Sequence, residues 1–151
     1  MSETAVVRRT INVVPGQAWA VLADGWLYPS WVVGASRMRD VDHSWPAPGR
    51  PLHHSVGLWP LLLDDVTESV ECVPGSRLVL HAHAWPAGRA EVRIGLHPLG
   101  AETEVVIEEQ ATAGPGALVP RFAQDPLLGW RNVETLRRLA FLVERREPHV
   151  A

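Results

Sequence analysis

Lysine is missing from this chain: all 14 basic residues are arginine, and they are scattered rather than gathered on one segment. With 17 acidic residues the formal net charge is −3, which offers a phosphate backbone little to grip, so no nucleic-acid partner is expected. Cysteine is nearly missing too. Cys72 stands alone, which excludes an intramolecular disulfide, and its apolar, alternating surroundings make it a small buried hydrophobe rather than a nucleophile. No run approaches the ~18 consecutive apolar residues of a membrane-spanning helix. The opening MSETAVVRRT lacks the charged start and apolar stretch of a secretion signal, so a cytoplasmic protein without stable membrane insertion is expected. A glycine-rich phosphate loop, a nucleophile elbow and a CxxC pair are absent as well, which leaves no compelling catalytic signature.

What remains is an ordinary globular profile, 46% hydrophobic and 21% charged over 151 residues. A chain of this length buries roughly 68–70% of its unfolded surface without help from a metal or disulfide, so one domain over residues 1–151 and no cofactor are expected.

Residues 6–14 interleave β-branched side chains with Arg and Thr, which reads as a strand, and Pro15-Gly16 separates it from PGQAWAVLAD. There Ala18, Trp19, Val21 and Leu22 form the apolar side of a short helix that starts near Pro15 and closes at Asp24-Gly25. In WLYPSW, Pro29 is expected to hold Tyr28 extended and to set off a second helical turn around residues 30–33. SRMRDVD alternates weakly and ends at the loop SWPAPGRP. Five more alternating segments follow, at 52–59, 63–73, 77–84, 89–97 and 103–111. The separators PGS, WPAG and PLGAE are short enough for antiparallel hairpins. After the broken loop TAGPGALVPRFAQDP, Asp125 as N-cap and Pro126 at the first position predict one long helix to about Arg146. Leu128, Asn132, Leu136, Leu139 and Val143 fall on its single stripe. A curved antiparallel sheet wrapped on that helix is the economical packing.

This order of elements resembles the START-like superfamily (SRPBCC, Bet v 1-like, helix-grip), in particular its polyketide cyclase/dehydrase and lipid-transport branch. The resemblance covers residues 4–146. It rests on VVRRTINVVPGQAWAVLAD as first strand and helix, YPSWVVGASRMRDVD as second helix into second strand, VPGSRLVLHAHA as a hairpin strand and DPLLGWRNVETLRRLAFLVE as the gripping helix. It implies an α+β, helix-grip fold: a curved seven-stranded antiparallel sheet around a long C-terminal helix, with two short helices between strands 1 and 2. It also implies a deep cavity between sheet and helix that takes a hydrophobic ligand.

Alternation along strands assigns the faces. Leu78, Leu80, Ala82 and Ala84, then Ala90, Val92, Ile94 and Leu96, then Val105 and Ile107 are expected inward. Arg77, His81, His83, Glu91, Arg93 and Glu104 are expected outward. Ala82, Ala84 and Ala90 leave volume where a sheet lying flush on a helix wants bulk; the alternative is that Trp31, Trp59, Phe122 or Trp130 fills it. The same parity turns His54 and Glu109 inward, and Asn132 lies on the inner stripe of the helix. A buried polar group needs either a structural partner or a ligand, so these three are candidates to orient one. The resemblance places Trp26, Tyr28 and Trp31 as an aromatic wall. The expected lining is completed by Val56, Leu80, Ala82, Ala84, Val92, Ile94, Ile107, Phe122, Leu128 and Leu136.

Binding or transport of a small hydrophobic molecule of lipid, isoprenoid or aromatic polyketide type is therefore the leading expectation. An aromatase/cyclase-like enzyme with His54 and Glu109 as candidate catalytic acid/base groups is the alternative. A protein-binding module using Trp45, Trp59 and Trp85 is a third. Oligomeric state is left open, a monomer included. No metal is expected: the HAH pair at 81–83 faces outward, and the neighbours His53 and His54, Asp64 and Asp65, and Glu108 and Glu109 diverge on their strands. RRLAFLVERRE reads as the solvated face of a helix.

Overall fold

The computed structural model describes residues 5–33, 35–58, 61–84, 88–113 and 121–145. The first strand, β1 (Ala5–Ile11), leads into α1 (Pro15–Leu22), which has Pro at its N-terminus and buries Ala18, Val21 and Leu22. A 3-10 turn (Gly25–Leu27) runs directly into the short α2 (Tyr28–Trp31). Tyr28 is helical, with φ −48° and ψ −48°, and not extended as the following Pro29 suggests. A residue before proline disfavours that region. Here burial of the tyrosine ring offsets the cost, and Pro29 stands where the missing N–H is not needed.

Six strands follow: β2 (Ala35–Val41), β3 (Pro51–Leu58), β4 (Leu61–Val73), β5 (Arg77–Ala84), β6 (Gly88–Leu99) and β7 (Glu102–Ala113). They form one sheet in the order β1-β7-β6-β5-β4-β3-β2, antiparallel throughout, so the first strand pairs with the last and β2 is the far edge. The weakly alternating SRMRDVD does form β2, with two register shifts against β3. Further shifts occur in β4 between Ser69 and Glu71 and in β6 at Arg89/Ala90. Such bulges bend strands and increase their twist, which suits a sheet that must wrap a helix. Gly75 and Gly100, with φ of 76° and 61°, occupy left-handed turn positions between β4 and β5 and between β6 and β7.

The long helix α3 (Arg121–Arg145) begins at Arg121, earlier than the Asp125 cap predicts, and Pro126 lies in its second turn. A proline there removes only the hydrogen bond to the carbonyl four residues back, a cost the remaining turns outweigh. Asn132, Leu136, Leu139 and Val143 are all buried on one stripe of α3. Leu136, Leu139 and Val143 meet Ile11 of β1, Leu78 and Leu80 of β5, Ile94 and Leu96 of β6, Val105 and Ile107 of β7, and the apolar side of α1 in one core. Each such aliphatic side chain contributes about 1.5–3 kcal/mol.

Candidate functional site

Among the described residues of β5 and β6, the inner face of the sheet is fully buried toward one end and only partly buried toward the other. Along β5, Leu78 and Leu80 are 0% and 2% exposed, yet Ala82 is only half-buried; along β6, Ile94 and Leu96 are buried, yet Ala90 and Val92 are not fully so. Register explains the pattern. Leu52, Thr67, Ala82, Ala90 and Ala111 stand side by side across β3 to β7, a row mostly of small residues.

Two polar groups flank this row. In the first, the hydroxyl of Thr67, fully buried, lies 2.8 Å from His54 Nε2 and 3.3 Å from the Tyr28 hydroxyl. A threonine hydroxyl has one proton and two lone pairs, so it donates to at most one of these neighbours and can accept from either. The Tyr28 ring is 5.3 Å from that of His54 and 5.5 Å, edge-on, from that of Trp31. Trp31 is 3% exposed, and its indole N–H has no acceptor among the described residues.

In the second, Glu109 on β7, 2% exposed, accepts from Arg131 at Oε1 and from Asn132 at Oε2 (2.9 Å), both on α3. Burial lowers the pKa of Arg131 below the usual guanidinium value, and proximity to Tyr28 works the other way. Tyr28 thus belongs to one group and lies within electrostatic reach of the other. Thr135 Oγ1 accepts from the Val33 N–H at 3.3 Å and ties the end of α2 to α3.

Tyr28, Trp31, His54, Glu109 and Asn132 are accordingly buried in or beside this region, with Ala82 and Val92 on its floor. Leu80, Ile94, Ile107 and Leu136 belong to the packed core that bounds it. The side chains of Val56, Ala84, Phe122 and Leu128 lie outside the described residues, as do Trp59 and Trp85. Trp26 departs from the expectation: it is 58% exposed and turned away from the interior. In a 3-10 turn every third residue shares a face, so Gly25 and Tyr28 point inward together, while Trp26, one step past Gly25, points out. Trp130, 69% exposed, points away from the interior, and Trp45, 8% exposed, offers no broad exposed patch. Thr67 and Arg131 were not anticipated. Parity would have placed Thr67 inward, but its role depends on pairing with Leu52, which no local pattern reveals. The outward His81 binds Glu91 at 3.2 Å, and Arg93 holds the same carboxylate at 2.6 Å; the Glu91 pKa is lowered chiefly by its hydrogen bond to Arg93.

No protein-family model matches the sequence, and no curated protein does. Solved structures do match. The crystal structure of Ara h 8.0201 aligns over 95% of this chain and 99% of its own, with TM-score 0.73 at 11% identity. The Zhui aromatase/cyclase from Streptomyces aligns over 93% of each chain, with TM-score 0.69 at 17% identity. A protein from Rhodobacter sphaeroides aligns over 97% of each, with TM-score 0.73 at 22% identity. This chain has the Bet v 1-like, helix-grip fold. Among the described residues, no helix of this Bet v 1-like chain is long and apolar enough to cross a membrane.

Proposed function

We propose that the protein binds a small, largely hydrophobic molecule of lipid, isoprenoid or aromatic polyketide type between the sheet and α3. The observation that carries this reading is the half-buried Ala82, Ala90 and Val92 on a face whose neighbouring positions are filled. A site lined mostly by apolar groups, with a few polar ones to orient the guest, is the usual form of a small-molecule pocket. Tyr28, Trp31, His54, Thr67 and Asn132 supply those groups. The aromatic rings of Tyr28 and Trp31 suit a flat or polyunsaturated guest.

Calorimetric titration with a fatty acid, a quinone, a prenyl alcohol and an aromatic polyketide tests it. At least one should bind saturably and lose about tenfold or more in affinity in Tyr28→Ala. Silence across all four classes would reject it.

A second reading, acid/base chemistry on a bound polyketone, draws support from the hydrogen-bonded line His54–Thr67–Tyr28 and from the aromatase/cyclase named above. Glu109 is poorly placed to take part, because both of its oxygens are already engaged. If His54→Ala leaves ligand affinity intact and abolishes turnover of a polyketide thioester, catalysis by His54 holds; unchanged turnover removes it.

A further inference from the structure

Away from the sheet-helix interior, a surface pocket of about 420 Å³ lies where the end of α1 and the 3-10 turn meet the segment that follows β2. Its walls include Asp24, Gly25, Trp26, Asp42, His43 and Trp45. Gly25 makes it possible. A Cβ there would come within 2.6 Å of Leu52 Cδ2 and 2.8 Å of Val41 Cγ1, so with these side chains in place glycine lets the turn lie this close to the sheet. Asp24 and Trp26, on either side of it, are thereby brought to the rim.

Trp26 is held there, its backbone N–H donating to Asp24 Oδ1 at 3.2 Å. Both indoles, of Trp26 and of Trp45, belong to the pocket wall. Trp45, 8% exposed, has an indole N–H with no acceptor among the described residues. Asp42 Oδ1 accepts from the Ser44 N–H at 2.8 Å, while its Oδ2 is 3.9 Å from Arg50, a loose pair open to water. Two carboxylates against one distant guanidinium leave the pocket negative. An anion is repelled, and a neutral apolar guest would strip water from both carboxylates without return. A cation against the Trp26 indole is favoured twice, by the ring quadrupole and by the carboxylates.

We infer that this pocket binds a small organic cation, an alkylammonium of the choline type, against the exposed indole of Trp26 and beside the edge of Trp45, with Asp24 and Asp42 as counter-charges.

Choline chloride titrated into the full chain at constant ionic strength, followed by the indole N–H signals in NMR, should shift Trp26 and Trp45 saturably and leave Trp31 in place. Its neutral isostere, dimethylbutanol, should bind about tenfold more weakly or worse. Trp26→Ala, at an exposed position, and Asp42→Asn, which keeps the oxygen that accepts from Ser44, should each weaken choline about tenfold. Absence of saturation, equal binding of the isostere, or indifference to both substitutions would overturn the inference. Flotation with phosphatidylcholine vesicles that free choline reverses would make a lipid headgroup the source of the cation; choline binding without flotation would make it a free solute.

Discussion

Glu109 shows what a single buried charge demands. Its two oxygens are matched by Arg131 and Asn132, and removal of the carboxylate would leave the buried Asn132 amide without its acceptor and the half-buried Arg131 without its counter-charge. Breaking a buried pair by deleting one partner costs about 3–5 kcal/mol. Arg131 retains 37% of its side-chain surface, so Glu109→Ala should fall at the low end of that range in urea denaturation. A loss under about 1 kcal/mol would mean that the carboxylate is not anchored as described. Thr67→Val keeps the shape and deletes the bridging hydroxyl; a loss of about 1–3 kcal/mol is expected from the same measurement, and no change would show that His54 and Tyr28 do not depend on it. Much of this was legible beforehand. The alternation of single strands was enough to turn His54 and Glu109 inward. Their partners Thr67 and Arg131 were not legible, since each comes from an element brought alongside only by sheet register or by the seating of α3.

At the scale of elements, the strands were the most readable part, because polar and apolar residues alternate between clear turn signals. β2 was less so, since two bulges break its alternation. The short helices misled for a different reason: Pro29 argues locally against a helical Tyr28, and only burial of Tyr28 and Trp31 settles it. The same turn sent Trp26 outward. On α3, Glu134 accepts from both Arg137 and Arg138, and those hydrogen bonds lower its pKa to about 2. A carboxyl with a depressed folded value stabilises the helix above the ordinary unfolded value, and that contribution disappears as pH falls toward about 2. NMR titration should find the Glu134 midpoint near that value, and Arg137→Ala should move it upward; a midpoint in the ordinary carboxylate range would contradict the geometry. The inner side of the helix carries far more. Leu139, fully buried, should cost about 2–5 kcal/mol when cut to alanine.

For the whole molecule, the fold class followed from the order of elements, and the solved structures it resembles share that fold along nearly their full lengths. The interior is a subtler matter, because small residues alone do not say whether bulk from elsewhere covers them. Trp130 was one candidate for that bulk, and it faces outward. Ala82 and Ala90, paired directly across β5 and β6, therefore mark the place where a hollow and a packed interior give opposite outcomes. Enlarging a residue in a filled core costs about 1–3 kcal/mol, whereas the same methyl groups added to a void are accommodated. The deciding measurement is the urea midpoint of Ala90→Leu against the unaltered protein. An unchanged or higher midpoint agrees with a hollow between sheet and α3, and a fall equivalent to about 1–3 kcal/mol would show that the space is already occupied by the protein itself.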